Sequence, residues 1–259
     1  MGQVFALISL LTISFCINGG SAWAFHVVID PGHGGLDRGA VHGVLQESEI
    51  VLDVSHRLHR LLSEEPGFKV TLTRIDDRPL SLAERINIAH RQGADLLISL
   101  HANAAPDPRA KGIELFFQNS LPADEEALYL ANLENQQASM LDSNLSTDLN
   151  KSDVGAIVSD LHRSHRLRAS LRLTQTMSDS WTQNPKDKKP SIKQAPLFVV
   201  SQSKIPSVLV EIGFLTNPTE ARQLAKTSYR QSIAENIRRS LVSYRARMSP
   251  PLQNETVSK

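Results

Sequence analysis

The stretch Val27-Val28-Ile29-Asp30-Pro31-Gly32-His33-Gly34-Gly35 limits the fold more than any other in the chain. Its apolar, β-branched start reads as a buried strand. Asp-Pro-Gly then stops the strand and turns the chain. His33 follows with glycine on both sides, which leaves the ring open to close approach by a ligand or metal. A histidine presented in this way at the end of a buried strand points to chemistry.

The same pattern recurs downstream. Glu47 begins a helix whose Ile50, Val51, Val54, Leu58, Leu61 and Leu62 share one face, and Pro66-Gly67 ends it. Residues 68–74 alternate as a second strand. Ser81-Leu82-Ala83-Glu84 starts a helix with a capping box, Leu82, Ile86 and Ala89 facing inward. Asp95 to Leu100 is a third strand and delivers His101-Ala102-Asn103. Gly112 to Phe117 and Ala195 to Val200 read as further strands. Ser207 to Val210 is the last, and it delivers Glu211. Asn217-Pro218-Thr219-Glu220 opens a helix, and residues 229–244 form the closing one. This alternation predicts an α/β fold, a twisted, mostly parallel sheet with helices on both faces. Sites in such sheets lie beyond the carboxyl ends of the strands. His33, His101 and Glu211 are therefore expected at one edge.

Residues 119–194 interrupt the alternation. They are polar and helical in pattern, with no obvious sheet strand. Glu125 to Leu141 is one expected helix. Asp153 to about Trp181 is another, with Val154, Ile157, Val158, Leu161, Leu167, Leu171, Met177 and Trp181 as its apolar points. Pro185 to Pro190 reads as an exposed turn. On physical grounds alone the insert is a buttress packed on the sheet. A lid over the active-site edge is the functional alternative.

The net charge of +1 and an aromatic content of 5% argue against nucleic acid as a partner. Val4 to Cys16 is apolar but too short for a good membrane span, and Ala22-Trp23-Ala24 fits a cleavage site. Residues 1–24 thus read as a signal peptide, although they contain no Lys or Arg. Cys16, the one cysteine, lies inside it, so no disulfide is expected after cleavage. Export without disulfides suggests a periplasm or cell surface, with no stable membrane span once the signal is removed. Residues 25–248 form the expected catalytic domain, with no room before it for a wall-targeting domain, and residues 249–259 an expected disordered tail.

Two histidines and a carboxylate are a three-ligand set for catalytic zinc, with the fourth position left for water. Glu47, Glu49 and Glu211 are candidates for the carboxylate. If zinc takes His33, Glu47 and His101, Glu211 is free to act as general base and acid in amide or peptide hydrolysis. His42, in the loop near the site, is a candidate supporting or substrate-contacting group. His26, His56, His59, His90, His162 and His165 read as structural or solvated. Arg74 and Arg85 are expected to pair with Asp76, Asp77 or Glu84, with the holding of a substrate carboxylate as the alternative.

Ile29 to Gly35, Glu47, Ser99-Leu100-His101-Ala102-Asn103 and Val210-Glu211-Ile212-Gly213-Phe214-Leu215-Thr216-Asn217 together resemble the zinc-dependent N-acetylmuramoyl-L-alanine amidases of the amidase 3 family. Thr73-Arg74 and Leu82-Ala83-Glu84-Arg85 add to the resemblance, which runs from about Val27 to Tyr244. It implies Zn2+ held by His33, Glu47 and His101, with Glu211 catalytic. The implied reaction cuts the amide between N-acetylmuramic acid and L-alanine of peptidoglycan, in septum splitting and wall remodelling in the periplasm. The insert resembles that of the periplasmic division amidases, where a helix covers the site until a degenerate LytM-type activator displaces it. On that resemblance Glu134, with Glu125 and Glu126 behind it, is the expected blocking carboxylate. A zinc peptidase cutting within stem peptides, or a wall-binding module without catalysis, are the rival readings.

Overall fold

The computed structural model describes residues 24–118, 124–141, 153–181 and 188–248. The expected leader up to Trp23, part of the turn near Pro185 and the expected tail lie outside the described residues, as do the side chains of Val154, Ile157 and Val158.

The chain opens with β1 (Phe25–Pro31), then a small hairpin of β2 (Val41–His42) and β3 (Leu45–Gln46), then α1 (Glu47–Ser63). Next come β4 (Phe68–Leu72), α2 (Leu82–Arg91), β5 (Leu96–Asn103) and β6 (Glu114–Gln118). The insert supplies α3 (Glu125–Leu141) and α4 (Asp153–Ser180). β7 (Ser191–Ala195), α5 (Phe198–Ser201), β8 (Ser207–Phe214), α6 (Pro218–Leu224) and α7 (Thr227–Met248) complete the fold. The main sheet has the order β4-β1-β5-β8-β6-β7. All its pairs are parallel except β6 with β8, so β6 and β7 run against the other four strands.

Strand periodicity sorts the core into two faces. Val27, Ile29, Leu96, Ile98, Leu100, Val208 and Val210 pack with α1, α6, α7 and the C-terminal half of α4. On the other face, Val28 and Leu97 meet α2 and α5, while Phe116 and Leu209 meet Ala127, Leu130 and Ala131 of α3. The insert is therefore divided. α3 lies on one face of the sheet, whereas Leu173 and Met177 of α4, with Trp181 just beyond its end, are buried on the opposite one. α4 packs as the expected buttress, and α3 covers the other face.

Several local expectations need correction. Ala195 to Val200 is not a strand. β7 ends at Ala195 and residues 198–201 form a helical turn. A short apolar run does not by itself distinguish strand from helix. β7 begins inside the segment expected to hold no strand. Its Ser-Ile-Lys-Gln-Ala sequence is mostly polar because it forms the sheet edge and is only partly covered. The glycine-rich loop contains the β2–β3 hairpin. Leu161 and Leu167 are exposed rather than inward. None of the described helices is long and apolar enough to cross a membrane.

Candidate metal centre

The loop after β1 is shaped by two buried arginines. Arg85 donates to Asp30 Oδ1 at 2.9 Å, to the Pro31 carbonyl at 2.6 Å and to the His33 carbonyl at 2.7 Å. Arg74 donates to the carbonyls of Pro31 at 3.0 Å, Gly32 at 2.7 Å and Ser48 at 2.9 Å. Asp30 also accepts from Thr73 Oγ1 at 2.6 Å and Ser99 Oγ at 2.8 Å. A buried guanidinium is tolerable only when its donors are used, and here they are spent on backbone carbonyls and, for Arg85, on Asp30 as well. This corrects the expected pairing of the two arginines with Asp76, Asp77 or Glu84. Arg74 reaches the Asp76 carbonyl, not its carboxylate. Burial and neighbouring Arg85 lower the Arg74 pKa to about 10, against Asp30.

The braced loop holds His33 at φ 56°, a left-handed conformation that ordinary residues seldom adopt. Its Nδ1 lies 2.6 Å from Asp37 Oδ2, which fixes the ring and turns Nε2 inward. Glu47, the first residue of α1, is buried. Its Oε1 accepts from Ala102 N–H at 2.9 Å and its Oε2 from Ala40 N–H at 2.8 Å. The backbone passes Glu47 at Gly39, whose φ is +63° and where a Cβ would stand 2.5 Å from Glu47 Oε2. His101 ends the apolar part of β5, and its ring rests against Gly32, where a Cβ would fall 2.5 Å from Cε1.

The donor atoms converge. Glu47 Oε1 is 3.1 Å from His33 Nε2 and 3.1 Å from His101 Nδ1. Glu134 Oε2, from α3, is 3.5 Å from His33 Nε2 and 3.1 Å from His101 Nδ1. Each of the four residues offers one atom, and all four atoms lie within 4.8 Å of one another. Yet His33 Nε2 and His101 Nδ1 are buried and make no properly directed hydrogen bond. Close approach without hydrogen-bond geometry is what lone pairs aimed at a common cation produce. Burial alone would lower the His33 pKa, but Glu47, Asp37 and Glu134 push it up to about 10. His101 rises in the same way under Glu134 and Glu47. Glu47 falls well below the usual carboxylate range because His33 and His101 outweigh its burial. The pocket strongly attracts positive charge.

Glu211 lies beside this cluster for reasons of register. His101 of β5 pairs with Glu211 of β8, and Glu211 pairs in turn with Glu114 of β6. These three side chains form one row on the face that α3 covers. Glu211 is fully buried and neither carboxylate oxygen has a hydrogen-bond partner. Burial raises its pKa well above the usual range; His101 opposes this, and Glu47, Glu134 and Glu114 add to it.

α3 is fastened over the row. Asp124 caps its start through the Ala127 N–H at 2.7 Å. Asn135 donates to the Pro196 carbonyl at 2.9 Å and accepts from the Phe198 N–H at 2.8 Å, tying the helix to the β7–α5 connection. Glu134, next to this clamp, points into the cluster.

Of the residues anticipated from sequence, the structure brings together His33, Glu47, His101, Glu134 and Glu211. Glu49 is exposed, and His42 is exposed on the hairpin, outside the cluster. Glu126 meets Lys193 instead. Asp37 and Asp30 escaped notice. Asp37, four residues after His33 in a glycine-rich loop, could have been found as a carboxylate orienting a histidine. The partners of Asp30 are distant in sequence and leave no spacing signal.

A family model described as N-acetylmuramoyl-L-alanine amidase matches residues 27–243. The chain is 34% identical over 220 residues to "N-acetylmuramoyl-L-alanine amidase AmiA" of Salmonella typhimurium, covering 84% of this chain and 75% of that protein. The AmiA protein of Escherichia coli gives the same identity and coverage. Among solved structures, an N-acetylmuramoyl-L-alanine amidase from Clostridium difficile 630 aligns with a TM-score of 0.63 at 25% identity, over 88% of this chain and 100% of that one. The catalytic domain of CwlV from Bacillus (Paenibacillus) polymyxa has the same fold, with a TM-score of 0.63 at 23% identity over 85% and 98%.

Proposed function

Because this chain belongs to the N-acetylmuramoyl-L-alanine amidase family and is a peptidoglycan amidase of cell-wall remodelling, we propose that it is an exported zinc enzyme held silent by α3. Its reaction is cleavage of the amide between N-acetylmuramic acid and L-alanine, at the division septum. The observation carrying this reading is the convergence of four donor atoms within 4.8 Å, with an unpartnered Glu211 in the adjoining strand position.

His33, Glu47 and His101 would hold the metal, and two imidazoles with one carboxylate suit zinc. Such an ion supplies Lewis acidity toward water and the scissile carbonyl. The protein does the rest. Asp37 holds the tautomer of His33, and two backbone N–H groups hold Glu47 in place. Glu211 takes a proton from the attacking water and returns it to the departing amine, its burial keeping competing solvent away. Glu134 brings a further carboxylate oxygen to the same point and would there exclude water. Export rests on the apolar run Val4 to Cys16 and on Ala22-Trp23-Ala24, which suit passage to the periplasm. Displacement of α3 is assigned to a degenerate LytM-type activator, on the family resemblance.

Removing the whole insert is a poor test of this reading. Leu173, Met177 and Trp181 would go with it, at roughly 1.5–3 kcal/mol each, against a total stability of about 5–15 kcal/mol. Glu134→Ala leaves the buttress intact. It is expected to raise turnover of purified muropeptides about tenfold or more at unchanged zinc content. Products should be glycan freed of whole peptides by mass spectrometry. Internally cut peptides would overturn the assignment of the bond, and equal or lower turnover in a folded, zinc-loaded variant would overturn the blocking role.

Gly32→Ala probes the cradle. A methyl group there meets the His101 ring. Zinc affinity, measured by competition with a chromogenic chelator, is expected to fall about 10–100-fold, as for other losses of ligand orientation. Unchanged affinity would mean that the ring orientation is irrelevant to the metal.

A further inference from the structure

We propose that Lys193 is a substrate-binding residue which takes a carboxylate of the peptide being released, and that Glu126 of α3 occupies its place in the closed protein. The proposal rests on the amidase reading and extends it to the choice of peptide.

Lys193 is opposite Phe116 in register, on the face of the sheet covered by α3. Its Nζ is 2.8 Å from Glu114 Oε1 and 2.5 Å from Glu126 Oε2. The two carboxylates differ. Glu114 belongs to the sheet, is 10% exposed, and is held further by Asn103 Nδ2 at 3.2 Å. Glu126 belongs to the helix and is 45% exposed. The ammonium thus has one permanent partner and one that would leave with α3. An ion pair exposed to that degree is weak and replaceable. Burial lowers the Lys193 pKa, but Glu114 and Glu126 outweigh this and keep the side chain charged.

What α3 covers has the shape of a peptide seat. Phe116, Ala195, Leu197, Val200 and Leu209 form an apolar floor now occupied by Ala127, Leu130 and Ala131. Glu134 marks the end at the candidate metal centre and Glu126 the end at Lys193. Eight residues of helix separate them, about 12 Å at 1.5 Å per residue. An extended peptide spans that distance in about three to four residues at ~3.3–3.6 Å each. A carboxylate carried about three residues from the cut bond would then reach Lys193 while the bond lies at the centre. On this view α3 imitates the substrate with two carboxylates at matching separation.

The test uses the full chain carrying Glu134→Ala, with two muropeptides differing only at the third residue, an acidic side chain or its carboxamide. The acid is expected to be preferred about tenfold in kcat/KM, the equivalent of one good charged contact. Adding Lys193→Met should bring the ratio close to one, while Lys193→Arg retains it. Because each ratio is taken within one variant, any loosening of α3 cancels. A ratio near one with Lys193 intact, or a preference that survives Lys193→Met, overturns the proposal. Calorimetric binding of the free peptides, acid against carboxamide, separates the two readings. Lys193-dependent preference in binding without cleavage of either substrate upholds the subsite and defeats the amidase reading. Equal cleavage and equal binding do the reverse.

Discussion

Glu211→Gln should lower kcat on muropeptides by about 10²–10⁴-fold, the range for loss of a general acid–base group, while zinc content stays unchanged. The substitution conserves volume, so no cavity opens in the fully buried interior of β8. It also removes a carboxylate with two unpartnered oxygens, which is costly to bury. The thermal midpoint should therefore hold or rise while activity disappears. That opposite movement separates a catalytic group from a structural one, for which both would fall. A glutamine variant within about tenfold of the parent would remove Glu211 from the proposed mechanism.

Asp30→Ala is expected to cost about 3–5 kcal/mol, the penalty for leaving a buried charge without its partner. Arg85 would keep its carbonyl acceptors but lose the one carboxylate it meets in the core. Thr73 and Ser99 would lose their acceptor too. Urea denaturation followed by circular dichroism gives the loss directly. Combining Asp30→Leu with Arg85→Met should restore much of it, because the pair replaced by apolar groups leaves no orphaned charge. Zinc affinity should not recover in the double variant, since Arg85 also anchors the Pro31 and His33 carbonyls. A single-variant loss below about 1 kcal/mol would show that the pair contributes little.

Which parts of the protein could be read in advance follows from the range of the forces involved. The helix starting at Ser81 was legible because its capping box is local, and the structure contains both of its hydrogen bonds. The strands at 25–31, 96–103 and 207–214 were legible because both faces of each are buried, which compels continuous apolar runs. β7 was not, since an edge strand with one open side can be polar. The convergence of His33, His101 and Glu211 followed from parallel strands sharing one direction, although β5 and β8 run on past His101 and Glu211. The buried Asp30–Arg85 pair spans 55 positions and obeys no periodicity. The position of Glu134 was anticipated only through the family resemblance, because on composition alone α3 is an ordinary amphipathic helix.

The division of the insert between the two faces of the sheet has a further consequence. The helix that reaches the reactive residues is not the helix that fills the main core. If α3 blocks the site as proposed, mutation there would adjust the restraint on activity with little effect on the main core, and mutation in α4 would change that core without touching the restraint. A single contiguous stretch of chain gives evolution two independent dials.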